Sequence, residues 1–172
     1  MDAAPSVAAS PGDKWHLTES RSSIDDSKTE VLLLDVEAPI QGPLGSTTPS
    51  LIVRCKEKKT NVYVNTGMAA TVEEGLDGHK VALRLDGNAA RYEDWNESTD
   101  HKALFADESE YRSDVVYPAG AVVKLAKELA RAKTLTFQFT PFDGSPQVMH
   151  FDLRGLDSHI DKVAEACGWS TD

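Results

Sequence analysis

The chain is short of cysteine, of aromatic residues and above all of positive charge, and each shortage excludes something. Eighteen Lys and Arg stand against 28 Asp and Glu, a formal net charge of −10. A surface that tracks phosphates needs clustered cations, so no nucleic acid is expected as a partner. Acidity of this size serves solubility first. No apolar run approaches the roughly 20 residues of a helical membrane span, so none is expected. Catalytic signatures are missing too. There is no H-E-x-x-H pair among the five histidines and no G-x-S-x-G elbow. Gly42-Pro43-Leu44-Gly45-Ser46 has the glycines of a phosphate loop but not its Gly-Lys-Ser/Thr. His150 and Asp152 share a strand face without a third metal ligand. The residues therefore offer no catalytic group, no metal and no cofactor, and the expectation is a binding protein rather than an enzyme.

The two cysteines, Cys55 and Cys167, are far apart in sequence, unlike the C-x-x-C pairs of zinc and redox sites. Each falls on the apolar side of its own element. A cysteine nucleophile needs solvent access and a lowered pKa, which such positions do not supply. One long-range disulfide fits an exported protein, and two inert thiols fit a cytosolic one. The reading favours the disulfide.

The 172 residues suit one domain. Residues 1–14 are small and proline-containing, with no basic segment followed by an apolar one, and read as a flexible N-terminal arm. Such a start fits a native cytosolic protein or an exported one whose leader has been replaced. Residues 15–172 read as a single β-rich domain. Val31 to Leu34 reads as a strand covered on both faces. Residues 38–50, with three prolines and two glycines, read as a loop.

Alternation then takes over. Leu51, Val53 and Cys55 point one way and Ile52, Arg54 and Lys56 the other. A charged turn at Glu57-Lys58-Lys59 leads into a returning strand with Val62 and Val64 inward and Tyr63 on its reverse. Val81, Leu83 and Leu85 mark a further strand, and Lys102 to Phe105 a short one. Asp107 to Asp114 reads as a solvated loop. Leu135, Phe137 and Phe139 alternate against Met149, Phe151 and Leu153 as a hairpin. Helical stripes run through Val122, Leu125, Ala126 and Leu129, and through Ile160, Val163, Ala164 and Cys167. The second helix is expected to be capped by Asp157 or Ser158 and stopped by Gly168. Strands with polar outer faces and two short helices make a mainly β chain, an antiparallel β-sandwich with the helices packed at its edge or ends.

For binding, the polar cluster Arg84, Asp86, Trp95 and Ser98 stands out. Arg84 and Asp86 fall on one strand face, and Trp95 is placed to pack over the arginine. Arg and Trp are frequent anchors of protein interfaces. On this reading Arg84→Ala and Trp95→Ala weaken partner capture and leave the fold intact.

In order along the chain, Ser23-Ile24-Asp25-Asp26-Ser27, Leu51-Ile52-Val53-Arg54-Cys55, Thr60-Asn61-Val62-Tyr63-Val64 and Arg84-Leu85-Asp86 are followed by Trp95-Asn96-Glu97-Ser98-Thr99-Asp100. Thr140-Pro141-Phe142, Gly155-Leu156-Asp157 and Ala166-Cys167-Gly168-Trp169 complete the set. Together they resemble the type VI secretion-associated VasI/TagO family of bacterial envelope proteins, over most of residues 15–169. The resemblance implies a periplasmic accessory or adaptor that binds a protein of the envelope or secretion machine. It carries no catalytic residues, and it implies that Cys55 and Cys167 match the family's paired cysteines. A cytoplasmic location goes with a native N-terminus. The alternative expectation is a phage- or island-encoded inhibitor or immunity protein whose negative charge masks a basic protein target.

Overall fold

The computed structural model describes residues 12–72, 78–106 and 120–171. Of these, 46% lie in strands and 16% in helices, so the chain is mainly β as expected. The first strands are β1 (His16–Arg21), β2 (Lys28–Asp35), β3 (Ile40–Gly42), β4 (Gly45–Thr47), β5 (Ser50–Lys56) and β6 (Lys59–Asn65). There follow β7 (His79–Leu85), β8 (Arg91–Glu97), β9 (Ala103–Phe105), α1 (Ala121–Arg131), β10 (Thr134–Phe139), β11 (Gln147–Asp152) and α2 (Leu156–Cys167). Nine strands form one antiparallel sheet in the order β1-β2-β5-β6-β9-β8-β7-β10-β11, and β3 pairs with β4.

The sheet is joined most thinly where β8 meets β9, a junction of only two residue pairs, Asn96 with Phe105 and Glu97 with Leu104. From there β8, β7, β10 and β11 form the second half, and their apolar side chains join those of the first half in one core. Leu32, Leu51, Val53, Val62 and Leu104 come from one half; Leu83, Trp95, Phe137, Met149 and Phe151 come from the other. The Glu37 N–H donates to His150 O at 3.0 Å, drawing the end of β2 toward β11. The sheet does not close into a barrel. α2 packs against β2, β5 and β6, and α1 against β6 and α2. The predicted stripes are buried as Val122, Leu125, Ala126 and Leu129 on α1 and as Ile160, Val163 and Ala164 on α2, with Cys167 half-buried.

The hairpins β5–β6 and β10–β11 form with the expected inward residues. Four local expectations change. β2 is not covered on both faces: Glu30, Leu32 and Leu34 are buried, while Val31 and Leu33 are half-exposed. The loop at residues 38–50 contains the small β3–β4 hairpin. Arg91 to Glu97 is a strand without an apolar alternation to announce it. Its inward positions are Arg91, Glu93 and Trp95, paired with Leu83, Val81 and His79. Burying charge there is tolerable because Arg91 donates two bonds of 3.1 Å to the Glu128 carboxylate of α1.

At the start of α2 the capping residue is Gly155, at φ 99°, with no side-chain cap from Asp157 or Ser158. A Cβ at Gly155 would strike Asp13. The Asp13 carboxylate instead bonds His159 Nε2 at 2.8 Å and accepts the Trp15 N–H at 3.1 Å. A carboxylate there also meets the positive end of the helix dipole. Gly168 stops α2 in the left-handed region at φ 75°, and the Trp169 N–H returns to Ala164 O at 3.0 Å. Most of the expected arm, residues 1–11, and the expected loop at 107–114 lie outside the described residues.

Candidate functional site

Cys55 and Cys167 are joined, with their Cα atoms 5.7 Å apart across a sequence separation of 112. The bond fastens the last residue of α2 to the inner face of β5. Directly across from Cys55 on β2 is Glu30, which exposes only 1% of its surface. Among the described residues no N–H or hydroxyl donates to either of its oxygens, and the Lys28 ammonium stays 3.8 Å away. Burial, and then the neighbouring Glu19 carboxyl, push the Glu30 pKa up to about 7. A second buried carboxylate, Asp152, is fully paired. It accepts two bonds from the Arg154 guanidinium, at 2.8 and 2.6 Å, and the Lys14 ammonium is 3.4 Å away. The Arg154 bonds hold its carboxyl well below the usual range.

The four residues expected to form one binding patch are separated. Trp95 is 1% exposed, packs in the core 5.1 Å from the Phe137 ring and donates from Nε1 to Glu93 at 2.9 Å. It therefore lies in the core and not over Arg84. Arg84 is exposed but turns back on its own loop, donating to Asn88 O at 2.8 Å. Its neighbours across the sheet are Thr136 and, beyond it, His150. Asp86 lies just past the end of β7 at φ 53°. It accepts the N–H groups of Lys133 and Thr134 at 2.8 and 3.1 Å, which fixes the start of β10. Ser98 donates to Asp100 at 2.6 Å and accepts the Ala103 N–H at 3.0 Å within a turn.

An arginine–aromatic cluster does exist, on the outward face of the first half-sheet. Ladder register aligns Leu33, Ile52, Tyr63 and Phe105 in one row across β2, β5, β6 and β9. The Tyr63 and Phe105 rings stack with centroids 4.2 Å apart. The Arg54 guanidinium lies 4.9 Å from the first centroid and 5.8 Å from the second. Arg54 Nε donates to Asn61 Oδ1 at 3.0 Å and Nη1 to the Tyr63 hydroxyl at 3.3 Å. Alternation had already put Arg54 and Tyr63 on the reverse of their hairpin. The missing information was Phe105, which a distant strand supplies.

Beside the β3–β4 hairpin there is an open groove of about 570 Å³ bordered by Leu44, Met68, Phe142 and His101. Behind it, Glu97 accepts the Ala70 N–H at 2.8 Å and binds His101 Nδ1, with His79 Nε2 at 3.9 Å. Burial opposes ionisation of Glu97, but His101, the Ala70 N–H and His79 together hold its carboxyl below the usual range. Among the described residues, no three His, Cys, Asp or Glu side chains are grouped to hold a metal ion. Also among them, no helix is long and apolar enough to cross a membrane.

The family model described as type VI secretion system VasI, EvfG matches residues 7–169. No curated protein matches the chain. No solved structure matches it either.

Proposed function

This chain belongs to the type VI secretion system VasI family, and from that premise we propose that it acts in the periplasm as a non-enzymatic adaptor, by binding a protein of the secretion machine. The disulfide carries the compartment. Such bonds persist in the oxidising envelope and are reduced in the cytosol, and Cys55–Cys167 is consistent with the former. Binding rather than catalysis is supported by the outward cluster of Arg54, Tyr63 and Phe105, residue types that are enriched in protein interfaces.

The test is in the native host. Thiols are alkylated in intact cells before fractionation, and secretion is followed in a strain lacking the protein. The expected result is an unalkylated, disulfide-bonded protein in the periplasmic fraction and impaired secretion on deletion. A protein recovered with two alkylated cysteines, or secretion unaffected by deletion, overturns the reading.

A further inference from the structure

We propose that the outward face of the β1-β2-β5-β6-β9 half-sheet docks an acidic, partly apolar segment of a protein partner, with Arg54 as the anchor. The proposal rests on the adaptor reading above and names the chemistry of its partner.

Three observations converge on this face. The first is pre-organisation. Arg54 is held over the stacked Tyr63 and Phe105 rings by bonds to Asn61 and to the Tyr63 hydroxyl. A guanidinium already fixed in place loses little freedom on binding a carboxylate, and its planar fork suits a two-point contact.

The second is that Arg54 lacks a carboxylate. Among the described residues no Asp or Glu pairs with it, although the chain has ten more acids than bases. Arg91 and Arg154 do have such partners, in Glu128 and Asp152.

The third is the local charge. Strand alternation and register put Lys56 and Lys59 on the same face, paired with each other across the β5–β6 hairpin. The one carboxylate on these strands' outward positions is Asp35, at the far end, where Ser50 donates to it at 2.9 Å. A locally cationic face selects an acidic partner, while the net charge of −10 carried by every copy opposes self-association. Beside the cations, Val31, Leu33 and the two rings are half-exposed, which favours a segment with apolar side chains among its carboxylates. Three cations are too few for a phosphate backbone.

The test uses the oxidised full-length chain and a displayed library of random twelve-residue peptides. Clones are selected on wild type and then measured on Arg54→Glu and on Arg54→Gln, which serves should the first fail to fold. The expected result is enrichment of Asp and Glu among apolar residues, with affinity at least tenfold lower for either variant and unchanged melting behaviour. Selected clones without an acidic excess, clones bound equally by the variants, or no clones at all overturn the proposal. Vesicles containing phosphatidylglycerol that bind wild type and not Arg54→Glu would assign the face to lipid and overturn it. Tighter peptide binding after neutralising Asp107, Glu108, Glu110 and Asp114 would assign it to the chain's own acidic stretch, with the same consequence. Secretion lost on deletion but retained in Arg54→Glu would sink this proposal while leaving the adaptor reading intact.

Discussion

Replacing Glu30 with Gln should stabilise the protein increasingly as pH rises. Glu30 is buried opposite Cys55, with Glu19 beside it on β1, Lys28 at 3.8 Å and Lys162 contributing from α2. Its pKa is pushed up to about 7, against 4.5 for an ordinary glutamate. The folded state therefore keeps a proton that the unfolded state releases above pH 4.5. Below that pH both states are protonated and the contribution to stability is complete. Between about 4.5 and 7 each pH unit removes about 1.4 kcal/mol, so the loss above pH 7 is about 3 kcal/mol. Glu19 moves the opposite way, through the hydrogen bond it shares with Glu30, which is the behaviour of two carboxyls holding one proton. Glutamine keeps the shape and never ionises. The stability of Glu30→Gln relative to wild type should therefore rise from pH 4.5 to pH 8 by at most about 3 kcal/mol, the opposite shift of Glu19 subtracting from that figure. Urea denaturation at several pH values, with the disulfide intact, measures that difference. Its pH dependence is the readout, because the amide's own hydrogen bonds shift only the baseline. A difference flat to within about 0.5 kcal/mol would show that Glu30 ionises freely in the fold and refute the reasoning.

Two further outcomes are expected. Cys55→Ala/Cys167→Ala should lose about 5 kcal/mol, the chain-entropy value for a crosslink spanning a separation of 112, and reducing agent should affect wild type alone. Equal urea midpoints for oxidised wild type and the double variant would show that the bond constrains nothing. Trp95→Ala should cost about 3–5 kcal/mol in thermal or urea unfolding, because the indole fills core against Phe137. A small loss of stability with a large loss of partner binding would return Trp95 to the surface role its sequence context suggested.

Much of the fold was legible because alternation and helical spacing are local properties of the backbone. Leu51, Val53 and Cys55, or Leu135, Phe137 and Phe139, face inward wherever the strand lies. Gly168 could be read as a helix stop because a left-handed residue is a local demand. The β8 strand escaped notice because its inward positions hold Arg91 and Glu93. Arg91 is held there by Glu128 of α1, a contact that no window of sequence contains.

The candidate surface divided in the same way. The sequence by itself placed Arg54 and Tyr63 on the reverse of a hairpin and marked the two cysteines as inward-facing. Tertiary structure decided the rest through register. Register set Phe105 beside Tyr63 to complete the platform under Arg54, and put Glu30 across from Cys55, where burial raises its pKa. It also took Trp95 away from Arg84 and into the core. Periodicity fixes which side of a strand a residue occupies, but its neighbours on that side depend on strands far along the chain.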